Sequence, residues 1–278
     1  MKRYAIITDD AVEGVDQKFN GIVSFFVLKH KYPYFINSDT QRSHLASITS
    51  KGLLYKTPTV LPPSREDISE LFEKVKDEFD EVFCILSADG LSPTFTAFDE
   101  ISKYYKGRMK LRNLHSESIS YGQGFIVNKC ARLINQDVSP DKIEEILRET
   151  IPSIYTLLCA PDLSHLFANG FIDAGQYLIG SQHLIQPLFS IENGSLNPLD
   201  KTKNGRGVAD FFIDFLQEYD QLEKIAFLHS KNRLQDIFQE IQQLSVELFP
   251  QNPIFEVNSN AYFSNLIGPN GFGLILIE

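Results

Sequence analysis

The chain has no tryptophan, two methionines and three cysteines in 278 residues. Cys84, Cys130 and Cys159 are odd in number and far apart, and no C-x-x-C pair occurs. Neither a disulfide framework nor a cysteine zinc site is indicated. No apolar run approaches the roughly 20 residues that cross a bilayer. At the start, the apolar run Tyr4–Ile7 stops at Thr8-Asp9-Asp10, too short for the core of a signal peptide. These absences together imply a cytoplasmic protein without stable membrane insertion. A basic surplus is missing too: the formal net charge is −10, which opposes a phosphate backbone and argues against nucleic acid as a partner. The one basic cluster, Lys103–Arg112 with Lys106, Arg108 and Lys110, reads as a solvated helix end and loop. Catalytic signatures are absent as well. There is no G-x-S-x-G elbow and no phosphate-binding G-x-x-x-x-G-K, and Gly122-Gln123-Gly124 lacks a third glycine. The six histidines, His30, His44, His115, His165, His183 and His229, form no i,i+4 pair with a carboxylate partner, so no metal site is expected.

What is present is a globular composition, 43% hydrophobic and rich in phenylalanine, with 22 of them. Tyr4–Thr8, Gly21–Leu28, Glu81–Leu86 and Met109–Leu114 read as strands. Between them lie helical patterns: one opened by the capping-box residues Ser64 to Asp67, and one after Ser92-Pro93. A further helix follows Ser139-Pro140. Strands alternating with helices predict a mostly parallel sheet with helices on both faces. The second half carries candidate strands at Tyr155–Cys159, Leu188–Ile191, Lys224–His229, Pro253–Val257 and Phe272–Ile277, and amphipathic helices over Phe211–Tyr219 and Leu234–Leu248. Glu192-Asn193-Gly194 reads as a hairpin turn. The expected fold is α/β with two domains: residues 1–157 with a mostly parallel sheet flanked by helices, and 158–278, smaller, with a mixed or antiparallel sheet.

In open α/β sheets, ligands sit outside the C-terminal ends of the strands. Thr8-Asp9-Asp10 and Ser87–Ser92 are such ends. Ser92 suits an N-cap and Pro93 the first helical position, so Thr94 follows at a helix N-terminus whose free N–H groups suit a carboxylate or phosphate. The bland alternative is that Ser92 only caps its own helix. Asp9, Asp10 and Asp89 could act on a small polar ligand, although Asp is common in such loops simply because it tolerates turns.

Several ordered motifs resemble the DegV family. They are Ile6-Ile7-Thr8-Asp9, Pro58-Thr59-x-x-x-Pro63-Ser64, Leu86-Ser87 with Leu91-Ser92 and Thr94, and Ser120-x-Gly122-x-Gly124. Later come Asp162-Leu163-x-x-Leu166-x-x-x-Gly170, Gly180-x-x-x-Leu184-Ile185-x-Pro187 and Gly268-Pro269-x-Gly271-x-Gly273. The match runs in order over nearly the whole chain. The resemblance implies a non-catalytic protein that binds one palmitate-like long-chain fatty acid between its domains, with no other cofactor. It also implies a possible partner, since several members present the lipid carboxylate to a separate kinase subunit of a bacterial fatty acid kinase. By the same resemblance, the ligand residues are Ser92, Thr59, Val60, Leu91, Thr94, Phe95, Phe171 and Leu266. The sequence departs from the family pattern at the head group. Val60 and Leu61 fall where the family has threonine and serine, Pro93 replaces a glycine, Phe171 stands for an arginine and Leu266 for a histidine. Phe98, Phe167 and Phe189 join Phe95 and Phe171 as candidate wall for an apolar tunnel, with ordinary core packing as the alternative for each.

Overall fold

The computed structural model describes residues 3–19, 21–33, 60–105, 107–229 and 235–278. The chain divides into two compact units. The first holds Met1–Lys31, Pro62–Tyr155 and Ile191–Ser195; the second holds Tyr32–Leu61, Thr156–Ser190 and Leu196–Glu278.

In the first unit, β1 (Tyr4–Asp9), β2 (Ser24–Leu28), β3 (Glu81–Leu86) and β4 (Leu111–His115) form one sheet in the order β2-β1-β3-β4. Every pairing is parallel, with Ile7 opposite both Phe26 and Cys84, and Cys84 opposite Asn113. A parallel sheet is covered on both faces, so its central strands are apolar throughout. β3 is buried at all six positions, and β1 at five of six. Ala5, Ile7, Val82, Cys84 and Leu86 pack on one side against Ile68, Leu71, Phe72 and Val75 of α1 (Arg65–Val75) and Phe98 and Ile101 of α2 (Thr94–Ser102). Against the other side lies α3 (Ser120–Asn135), followed by α4 (Pro140–Thr150). Gly124 of α3 is required by this approach: a Cβ there would stand 1.8 Å from the Glu13 carbonyl oxygen.

The basic cluster departs from its expected role at one residue. Arg112 lies on edge strand β4, is 16% exposed, and binds Glu81, Asp141 and Glu144 at 3.1, 2.7 and 2.8 Å. It is an internal clamp between β3, β4 and α4 rather than part of a solvated loop. Its pairing was illegible because those carboxylates lie 29 to 32 residues away.

The second unit is built on a six-stranded sheet in the order β7-β6-β5-β10-β8-β9. The strands are β5 (Ile154–Cys159), β6 (Gln186–Glu192), β7 (Ser195–Thr202), β8 (Lys224–His229), β9 (Phe255–Asn258) and β10 (Phe272–Ile277). β10 pairs antiparallel with β8, and β8 parallel with β9, so the sheet is mixed. The helices of this half are α5 (Leu163–Ala168), α6 (Ala174–Gln182), α7 (Gly205–Leu216), α8 (Gln235–Leu248) and α9 (Ala261–Ile267). α7 starts six residues before the apolar pattern suggests, because Asn204 caps it by accepting the Gly207 N–H at 2.9 Å. The β6–β7 turn is made by Asn193 and Gly194, both at positive φ (51° and 73°), as a two-residue hairpin requires. All three cysteines are buried and free. Among the described residues, no helix is long and apolar enough to cross a membrane.

Candidate functional site

In the order β2-β1-β3-β4, successive connections leave β1 in opposite directions, which opens a crevice outside the C-terminal ends of β1 and β3. Because the strands are parallel, the segments after all four emerge at this edge. They bring Asp9, Asp10, His30, Ser87, Asp89, Ser92, Thr94 and His115 into one polar cluster.

Asp9 is fully buried. Its carboxylate accepts from Ala11 N–H (3.2 Å), Ser87 N–H (2.9 Å), Ser87 Oγ–H (2.8 Å) and Gln123 Nε2 (3.1 Å). Four donors occupy its lone pairs, so Asp9 is a clasp joining β1, β3 and α3. Asp10 accepts from the His30 backbone N–H at 2.9 Å and stands 2.6 Å from His30 Nδ1. A carboxylate only accepts, so Nδ1 carries the proton. On the other side of the ring, Nε2 lies 2.9 Å from Thr94 Oγ1, and Thr94 Oγ1 lies 3.4 Å from Ser92 Oγ. The His30 side chain is 0% exposed. This Asp10–His30–Thr94–Ser92 relay was not legible as a site. Its members are 20 and 64 residues apart, and only the register of β1 beside β2 unites them.

The Ser92 cap is corrected. α2 begins at Thr94, its N-cap position is Pro93, and no side chain caps it from there. Ser92 is instead buried at 2% exposure, one residue before the cap. The free N–H expected at this end is taken by Asp89, whose carboxylate accepts from Thr96 N–H at 3.0 Å and from Thr96 Oγ1 at 2.5 Å. A carboxylate at a helix N-terminus is the dipole's preferred partner. Asp89 is therefore a helix clasp, and its backbone N–H donates to His115 Nε2 at 2.8 Å. Burial lowers the His115 pKa, in keeping with a neutral ring that accepts. The loop carrying Ser92 is pinned from outside as well: Gly90 N–H donates to the Gly194 carbonyl at 2.8 Å.

Leu91 (6% exposed) is buried in this loop, and Phe95 is half-buried with its ring 5.0 Å from that of His115. Phe98, a candidate tunnel wall, lies in the first unit's core against Phe72 at 4.8 Å. Among the described residues, no group of three or more His, Cys, Asp or Glu side chains could hold a metal ion. A separate groove of about 730 Å³ runs along β4 and is lined by Arg112, Lys110, Asn113, Glu81, Asp99 and Asp141 among others, a polar wall unlike that of an acyl tunnel.

The sequence model of the DegV family, described as an uncharacterised protein family, matches residues 43–278. The chain belongs to the DegV family. A DegV domain-containing protein from Caldanaerobacter subterraneus subsp. tengcongensis is 25% identical over 223 residues, covering 78% of each chain. Among solved structures, a fatty acid binding DegV family protein from Streptococcus agalactiae superposes with a TM-score of 0.80 at 17% identity, over 100% of this chain and 99% of that one. The fatty acid kinase B3 protein of Streptococcus pneumoniae, loaded with linoleic acid, gives a TM-score of 0.77 at 16% identity over 99% of each. These likenesses carry the two-sheet DegV fold.

Three of the expected ligand residues, Val60, Phe171 and Leu266, lie in the second unit. Val60 is 7% exposed and donates its N–H to Asn169 Oδ1 at 3.3 Å. Asn169 Nδ2 in turn donates to the carbonyls of His165, Asn265 and Leu266 at 3.0, 3.1 and 3.3 Å. Leu266 is fully buried and Phe171 half-buried. Asn169 thus ties the chain at Val60 to α5 and the end of α9 through backbone groups. Phe167 stacks on Tyr177 at 5.1 Å, and Phe189 is 6% exposed in β6. Thr59 lies outside the described residues, as do Lys106 and His44.

Proposed function

We propose that this DegV-family protein binds one long-chain fatty acid without transforming it, holding the carboxylate beside Ser92 and Thr94 and the tail in an apolar tunnel. The observation that carries the reading is family membership over residues 43–278, in a family whose solved members include proteins described as fatty acid binding or loaded with linoleic acid. The polar cluster supports it: the hydroxyl-bearing Ser92 and Thr94 follow buried Leu91 in the same loop. It also weighs against catalysis by the candidate carboxylates. Asp9, Asp10 and Asp89 are each engaged by donors of the fold itself.

Mass spectrometry of the purified protein after denaturation should release a fatty acid of about one equivalent. Protein that is lipid-free as purified and also rejects added palmitate would overturn the reading. A second reading, presentation of the bound lipid to a kinase subunit, is favoured by the likeness to the kinase B3 protein. It predicts kinase-dependent phosphorylation of fatty acid bound to this chain, and lipid left unphosphorylated when a competent kinase is supplied would remove it.

A further inference from the structure

We propose that His30 is a positioning residue for the anionic head group: it takes up a proton when a carboxylate binds at Ser92 and Thr94, and so turns the Thr94 hydroxyl toward that carboxylate. The proposal rests on the fatty-acid reading above and adds to it a proton-linked way of holding the head.

The geometry gives the ring a fixed side and a reversible side. Nδ1–H points to Asp10 at 2.6 Å in either charge state. Nε2 can take two senses toward Thr94 Oγ1 at 2.9 Å. When the ring is neutral, Nε2 accepts and Thr94 spends its only proton on it. When the ring is charged, Nε2–H donates, and the Thr94 proton is released for an acceptor on its other side. That side already meets Ser92 Oγ at 3.4 Å, so both hydroxyls can then donate to one carboxylate. An anion close to an imidazole favours the charged ring.

The other charged groups on the elements meeting here are already committed. From β1, Asp9 is saturated by Ser87, Ala11 and Gln123. From the loop before α2, Asp89 is bound by Thr96. The residue after His30, Lys31, pairs with Asp67 of α1 at 3.1 Å. After β3 and β4, His115 accepts from Asp89 N–H and is held toward neutrality by burial. Among the described residues of the first unit, His30 is the ionisable side chain in contact with Thr94.

The test is calorimetric titration of delipidated protein with dodecanoate at one pH, in two buffers of different ionisation enthalpy. Wild-type protein should take up a measurable fraction of a proton per ligand, drawn from the buffer. Dodecanol, which has no carboxylate, should bind with no uptake. His30→Gln keeps a donor and an acceptor but cannot charge. It should bind roughly 10- to 150-fold more weakly, the loss expected for one charge-assisted hydrogen bond, and with no uptake. Thr94→Ser should retain both affinity and uptake. Dodecanoate binding by wild-type protein without uptake overturns the proposal and leaves the lipid reading standing. Equal uptake by wild type and His30→Gln overturns it as well. If His30→Gln does not fold, the wild-type measurement still decides. Failure of wild-type protein to bind dodecanoate or palmitate at all overturns the lipid reading, and this proposal with it.

Discussion

Single side chains at the strand ends do two different jobs, and their partners separate them. Asp9 gives its carboxylate wholly to the fold: two backbone N–H groups, the Ser87 hydroxyl and the Gln123 amide all end on it. Removing the acceptor leaves several buried donors unpaired, each costing about 1–3 kcal/mol. Asp9→Ala should therefore destabilise the protein by about 3 kcal/mol or more in urea unfolding, whether or not lipid is present. Asp10 and His30 instead form a chain that ends on two hydroxyls beside the loop of α2. Thr94→Val loses the one buried hydroxyl beside His30 Nε2, so it should cost about 1–3 kcal/mol in urea unfolding, less than Asp9→Ala, and should also lower carboxylate affinity. An equal stability loss for Asp9→Ala and Thr94→Val would erase the distinction between clasp and site.

At the scale of elements, what could be read from sequence was what is local. The capping box of α1 is complete: Ser64 Oγ accepts the Asp67 N–H at 3.2 Å, and Asp67 accepts the Ser64 N–H at 3.0 Å. Both residues lie within one turn, so the pattern showed it directly. Ser64→Ala should cost about 1 kcal/mol. The Ser64 hydroxyl and backbone, with help from Lys31, depress the Asp67 pKa to about 2. A depressed carboxyl contributes stability above its unfolded pKa of about 4 and loses it as pH falls through the folded value. The slope of stability against pH between 4 and 2 should be shallower in Asp67→Asn. The site is exposed, so the change is small. The α2 start misled because its cap is seven residues away: Asp89 reaches Thr96, while Ser92, next to Pro93, has the composition of a cap without its bond. His30 was invisible for a stronger version of the same reason. Nothing around it marks a site, and only parallel pairing of β1 with β2 sets it between Asp10 and Thr94. The hairpin turn shows the opposite case. Asn193-Gly194 was legible from two residues, yet its second role, pinning Gly90 and meeting His115, depends on tertiary contact. A Cβ at Gly194 would lie 2.3 Å from His115 Cε1 at a φ of 73°. Gly194→Ala should therefore both destabilise the turn, by about 1 kcal/mol or more, and shift the histidine resonance of His115 in NMR spectra.

For the whole molecule, the parallel first sheet follows from alternation of strand and helix signals, whereas the strand order comes from the structure, and the family fold agrees with both sheets over nearly the full chain. Three of the expected ligand residues, Val60, Phe171 and Leu266, are apolar, which raises the question of which part of a fatty acid dominates its binding. A palmitate-like tail has about 14 methylenes, each worth about 0.8 kcal/mol on burial, or roughly 11 kcal/mol before ordering costs. One hydrogen bond to a charged head is worth about 1.5–3 kcal/mol. The tail therefore outweighs any single polar contact, and a protein with fewer such contacts can still bind. Across a series of saturated acids, each removal of two carbons should weaken binding by about 1.6 kcal/mol, roughly 15-fold. Replacing the carboxylate of one acid with its alcohol should weaken binding by about 1.5–3 kcal/mol, no more than the loss of two to four carbons. Competition against a fluorescent acyl probe would measure both slopes. A flat chain-length series with a steep carboxylate dependence would reverse the order of these terms and show that the polar cluster, not an apolar wall, selects the ligand.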